Sequence, residues 1–136
     1  MKKLTILSLA LLSLGLFALA VAGSDDQGDK TIGDLAKAKL EAAKKAYEKI
    51  LENEKLVTGV LPNSHYTWSK HWLEAELDLA KTRAERVKAY SGHLDRLNAM
   101  IKNYKAELQI AGKATLPPEI EYYRLEAELW LAKAKE

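Results

Sequence analysis

The fold is most constrained by a ladder of residues at strict seven-residue spacing, Tyr66, Leu73, Ala80, Val87, Leu94, Ile101 and Leu108, with no proline inside it. A sustained heptad keeps one residue every two turns on the same helical face, the pattern of a coiled-coil seam. The spacing predicts one long helix over residues 64–110. Its companion positions change phase, because Leu77 and Ala84 follow their ladder residues by four while Tyr90, Leu97 and Tyr104 follow theirs by three. The seam therefore rotates near Val87 to Tyr90, where one partner helix hands over to another. Ser91-Gly92 beside it offers a kink that costs about 1 kcal/mol relative to alanine.

Two shorter helices flank the long one. Ala36, Leu40, Ala43, Tyr47, Ile50 and Val57 recur at spacings of three, four or seven and predict a helix over 34–58, with Thr31 or Asp34 as its cap and Gly59 as its stop. Pro62-Asn63-Ser64 makes the turn into the long helix, Ala111-Gly112 closes it, and Thr115-Leu116-Pro117-Pro118 leads into a last helix over 118–135. The expected class is all-α. An internal repeat supports a duplicated module: Leu73 to Lys81 (LEAELDLAK) recurs as Leu125 to Lys133 (LEAELWLAK), changed only at Asp78 against Trp130. At about 1.5 Å per residue the three helices measure about 37, 70 and 27 Å. The short ones can lie end to end along the long one, two helical hairpins sharing a central helix in a coiled-coil-like rod. The alternative is a compact four-helix bundle, which requires the long helix to break at Ser91-Gly92.

Ahead of these segments, Met1-Lys2-Lys3, an apolar run from Leu4 to Ala22 and small residues at Ala20 and Ala22 have the layout of a secretory signal peptide, residues 1–22, cut before Gly23. An uncleaved anchor is the alternative, since a membrane span needs about twenty apolar residues. Residues 23–33 start with the acidic, apolar-free GSDDQGDK and are expected to be a flexible tether to a single helical domain, 34–136. Loss of Lys2 and Lys3 takes the basic count from 21 to 19 against 19 acidic residues, so the mature chain is formally neutral. That removes any global electrostatic case for nucleic acid or anionic lipid as partner. The chain has no cysteine, hence no disulfide framework, thiolate metal site or thiol nucleophile.

Chemistry-bearing motifs are sparse. His65, His71 and His93 form no pair at metal-ligand spacing and are expected on polar faces; no metal or cofactor is called. Glu74 and Glu76, like Glu126 and Glu128, are two apart and read as solvated charges, while Lys70 with Glu74 and Arg124 with Glu128 have i, i+4 spacing. Phosphate loops, nucleophile elbows and dinucleotide fingerprints do not occur. No enzyme is expected.

The segments Tyr47 to Gly59, Tyr66-Thr67-Trp68-Ser69, Trp72 to Glu76, His93 to Arg96 and Glu121 to Ala132 resemble a group of small uncharacterised exported helical proteins of planctomycete-type bacteria, a resemblance that covers most of the mature chain and implies no activity. A less specific similarity is to the hairpin tips of TolC-like outer-membrane efflux proteins and their periplasmic adaptors, carried by Gly112-Lys113-Ala114-Thr115 with Glu119. The first tip departs from that pattern, with Ser64 five residues after Gly59, and no strands are patterned for a membrane barrel. This similarity implies an efflux-associated role at the envelope, though not as the channel itself.

Aromatic residues crowd two places, Tyr66, Trp68 and Trp72 at the start of the long helix and Tyr122, Tyr123 and Trp130 in the last one. They exceed what one seam can bury, so either the rings close the hairpin ends or, together with the tip residues Thr115 and Glu119, they are contacts for a partner. The leading expectation is an exported, non-enzymatic helical interaction or scaffold protein of the cell envelope, periplasmic or extracellular, that self-associates or binds another envelope protein, with no stable membrane insertion once the signal is cut. The alternative is a small-ligand or metal-binding four-helix bundle whose pocket is lined by Trp68, Trp72, Tyr122 and the histidines. Intact mass of the exported protein should correspond to a chain starting at Gly23, and replacing Ala22 with a bulky residue should impair cleavage; a membrane-bound species retaining Met1 to Ala22 would refute the assignment.

Overall fold

A computed structural model describes residues 30–56, 62–113 and 115–136. The signal-peptide and most of the tether assignment, Val57 and the Gly59 stop lie outside those residues. Within them the chain is all-α, with helices α1 (Ile32–Leu56), α2 (Pro62–Leu79), α3 (Arg83–Ile110) and α4 (Pro118–Lys135) and no strand.

Each helix start has a local cause. The Thr31 hydroxyl accepts from the Asp34 amide at 3.2 Å, and the Asp34 carboxylate accepts from the Thr31 amide at 3.3 Å and its hydroxyl at 2.7 Å. This reciprocal cap moves the start of α1 two residues ahead of the predicted Asp34, and hydrogen bonding to Thr31 holds the Asp34 carboxyl below its usual range. Pro62 opens α2 and Pro118 opens α4, first-turn positions where a missing N–H costs nothing. The end of α3 is a Schellman motif: Lys113 N–H donates to Leu108 O at 2.8 Å and Gly112 N–H to Gln109 O at 3.1 Å, with Gly112 at φ 69°. A side chain at that φ would be strained, which is why the stop falls on glycine.

The predicted helix over 64–110 is corrected to two. The chain leaves α2 after Leu79 and enters α3 at Arg83, with Ala80, Lys81 and Thr82 between them. Thr82 caps α3 through a complete capping box: its hydroxyl accepts from the Glu85 amide at 3.2 Å, and the Glu85 carboxylate accepts from the amides of Thr82 at 2.9 Å and Lys81 at 2.7 Å. One carboxylate thus satisfies two N–H groups freed by the break, and these bonds hold the Glu85 carboxyl below its usual range. Both arrangements drawn from sequence fail in this detail. The shared central helix of the rod is divided, and the bundle's break is not at Ser91-Gly92, which lie inside α3.

Neighbouring helices pack in sequence order, α1 on α2, α2 on α3 and α3 on α4. The core joins Leu97, Met100 and Ile101 of α3 to Ile120 and Ala127 of α4, flanked by Tyr66, Leu94, Tyr104, Leu116 and Tyr123. The α1–α2 contact buries Ala43, Tyr47 and Ala75, and Lys39 Nζ meets Asp78 at 2.7 Å across it. The two repeat copies meet unequal surroundings. Leu73 is 2% exposed and its counterpart Leu125 is 51% exposed, although the central alanines Ala75 and Ala127 are both buried. Thr82→Ala should lower stability by about 1 kcal/mol in thermal or urea melts, because the Glu85 amide loses its side-chain acceptor; Ser91→Ala, within a continuous helix, should cost less.

Candidate functional site

The α2–α3 hairpin brings Ser69 of α2 against His93 and Arg96 of α3, a meeting that the sequence reading did not foresee. Ser69 Oγ lies 2.8 Å from His93 Nδ1 and accepts from Arg96 Nε at 2.9 Å, while Arg96 Nη2 donates to Ser69 O at 3.2 Å. Guanidinium is donor-only, so Ser69 Oγ receives its N–H and shares one further proton with His93 Nδ1. His93 Nε2 is buried without a hydrogen-bond partner among the described residues. Arg96 also sits over the Trp72 ring, Cζ at 4.1 Å from the ring centroid, and approaches Glu76 Oε2 at 3.9 Å. Burial pulls the Arg96 pKa down while Glu76 opposes the shift.

Three rings from α2 and α4 surround this relay. His93 stacks against Trp130 at 5.8 Å and lies 6.2 Å from Tyr66. Tyr66 stacks on Tyr123 at 3.9 Å and donates its hydroxyl to Glu126, which also accepts from Tyr122 at 3.1 Å. Burial and the Glu126 carboxylate push the Tyr66 phenol well above its ordinary range, so it remains a neutral donor. Lys70 Nζ sits 5.4 Å over Trp130 and 5.9 Å over Tyr66. Tyr47 of α1 meets Trp72 and His65 edge-on, both at 5.8 Å.

A serine hydroxyl at that distance from an imidazole has the spacing of a nucleophile and its base. Ser69 and His93 are both 0% exposed, however, and Arg96 occupies the other side of the hydroxyl. A substrate carbonyl has no approach to Oγ in this state. The cluster acts as a buried polar lock between α2 and α3, with His93 stacked on Trp130 of α4.

The predicted contact residues separate into two groups. Tyr66, Trp72, Tyr123 and Trp130 are partly buried and knit helices together. Trp68 (38% exposed) and Tyr122 (59%) face outward, and Thr115 and Glu119 are exposed at the α3–α4 connection. The pocket of the ligand-binding alternative is not built by its proposed lining: Trp68 and Tyr122 lie at the surface, and Trp72 fills the space between Tyr47 and Arg96. Among the described residues no group of three His, Cys, Asp or Glu is placed to hold a metal ion. A groove of about 560 Å³ at the α3–α4 end is lined by Lys105, Leu108, Gln109, Gly112, Lys113 and Leu116, which include no nucleophile–base pair.

Several polar residues depart from the sequence reading. His65 and His93, expected on polar faces, are buried because the hairpin folds their sides of α2 and α3 inward, whereas His71 is exposed and meets Glu74 at 3.2 Å. Lys70 rests over aromatic rings while Glu74 is taken by His71. Glu76, read as solvated, turns Oε2 inward toward Arg96. Arg124 pairs with Glu128 as its spacing suggested, and with Glu121 as well. The one sequence signal for the buried network is the cap Thr82-x-x-Glu85, because only a reversal there brings residue 69 to residues 93 and 96.

Comparison with protein-family models, curated proteins and solved structures finds no match. No helix among the described residues is long and apolar enough to cross a membrane.

Burial, and secondarily the Arg96 charge, push the His93 pKa down from 6.5 to about 4. Protonation would require Nδ1 to donate toward an oxygen that already accepts from Arg96, and would set a second cation beside it. Between pH 6.5 and 4 the unfolded chain binds this proton and the folded chain does not, so stability falls as the solution is acidified through that window and the full penalty is present below pH 4. From pH 7 to pH 5 the loss attributable to His93 should be about 2 kcal/mol in urea melts. His93→Gln should flatten that slope while lowering stability at pH 7.

Proposed function

We propose that this protein is an exported, non-enzymatic helical interaction protein of the cell envelope, working through its outer helix faces. The observation that carries the reading is the distribution of apolar groups. The interior is filled by its own rings and a sealed polar lock, while Ile32, Leu35, Trp68, Tyr122, Leu125 and Leu129 are each between 38% and 88% exposed. Exposed aromatic and leucine side chains grouped on helix faces are the composition of contact surfaces. Export rests on the leader pattern of Met1 to Ala22, and the absence of cysteine suits a protein held together by packing alone.

Photoreactive residues at positions 68 and 125, with position 102 as control, test the reading in the producing cell. Lys102 is exposed on α3 and carries no apolar group to a partner. Protein adducts at 68 or 125, absent at 102 and recovered from the envelope fraction, are expected. Absence of adducts at both positions, or a cytoplasmic location, would defeat it.

A further inference from the structure

The helix α4 carries two apolar seams on opposite sides. The inner one, Ile120, Tyr123, Ala127, Trp130 and Ala134, faces α2 and α3. The outer one, Pro118, Tyr122, Leu125, Leu129 and Ala132, steps by four, three, four and three residues, a heptad seam in its own right, and every member is exposed. The internal repeat indicates what such a face is for. Leu73 and Leu77 of α2 occupy the repeat positions of Leu125 and Leu129, and in α2 that face is lined by Tyr90 of α3 and Trp130 of α4. The same sequence thus has this face turned toward neighbouring helices in α2, where Leu73 is buried and Leu77 half-buried, and bare in α4.

We propose that the outer face of α4 pairs with the same face of a second copy of this chain, antiparallel and about a two-fold axis near Ala127. The proposal rests on the association reading above and gives it a surface and a partner. Size complementarity favours this register, since antiparallel alignment about residue 127 sets Tyr122 opposite Ala132 and Leu125 opposite Leu129, large against small at the ends and leucine against leucine at the centre. Charge complementarity sets the direction. The residues flanking the seam are acidic in the first half of α4, Glu119 and Glu121, and basic in the last turn, Lys133 and Lys135. Antiparallel pairing brings Glu119 to the partner's Lys133 and Glu121 to the partner's Lys135. A parallel pair would instead place Glu121 against the partner's Glu126. Near the axis, where each carboxylate meets its own copy, Glu128 is held by Arg124 and Glu126 by the hydroxyls of Tyr66 and Tyr122, which lowers the repulsion. An interface of one eighteen-residue helix per copy falls at the small end of specific interfaces, so the dimer should be concentration-dependent.

Sedimentation velocity of the purified protein over a wide concentration range tests this, with circular dichroism on each variant. A monomer–dimer equilibrium is expected. Leu129→Lys should weaken it at least about tenfold with helicity unchanged, because Leu129 is already half exposed. Lys133→Glu should weaken it by less, and Glu119→Lys combined with Lys133→Glu should restore it. A wild-type protein that stays monomeric at every concentration overturns the proposal, and adducts to another protein at position 68 would then leave the association reading standing. Dimerisation unaffected by Leu129→Lys overturns this surface alone, and failure of the charge swap to restore pairing overturns the antiparallel direction.

Discussion

The path of this chain turns on the Glu85 carboxylate and the amides of Lys81 and Thr82. Reversing a helix leaves its last carbonyls and the next helix's first amides without partners, and here no glycine or proline relieves the backbone. The Thr82–Glu85 box gives acceptors to three amides at the turn, those of Lys81, Thr82 and Glu85. Because it folds the seven-residue ladder back on itself, the ladder residues Tyr66 and Ile101 enter one core, and Ser69 comes within reach of helix α3. Without the turn, residues 69 and 93 would be about 36 Å apart along one helix, and neither the lock nor the aromatic stacks could form.

Given that turn, the buried polar cluster decides the register. Apolar packing among leucines and alanines tolerates slippage, whereas a guanidinium that must find a serine oxygen, a carbonyl, a tryptophan face and a nearby carboxylate tolerates little. Burying Arg96 carries a desolvation cost, offset by those contacts. Such a group contributes more to choosing one packing than to the depth of the well.

Much of the architecture was legible in sequence where the signal was local. The last helix was predicted at 118–135, where it lies, because Pro118 and a following periodic stretch mark it directly. The Gly112 stop was legible for the same kind of reason, a residue type matched to a backbone angle. The break at residues 80–82 was obscured because Ala80 and Val87 keep the heptad running through it and Ala, Lys, Arg and Glu all favour helix. Its trace was the change in companion spacing, which the prediction placed near Val87 to Tyr90. The buried network was illegible, because it joins residues 24 and 27 positions apart whose meeting depends on the missed turn. The aromatic clusters were seen as a surplus over one seam, but pattern alone did not divide Tyr66, Trp72, Tyr123 and Trp130, which pack, from Trp68 and Tyr122, which face outward.

The position of α1 has a dynamic consequence. Helices α2, α3 and α4 hold one another through side chains from all three, whereas α1 leans chiefly on α2, through Tyr47, Ala43 and the exposed Lys39–Asp78 pair. A helix secured on one side opens at lower free energy than the unit it covers. Detachment of α1 would bare Trp72, Ala75 and the His65 ring along α2 while leaving the Ser69–His93–Arg96 lock assembled. Amides of α1 should then exchange faster than those of the α3 core.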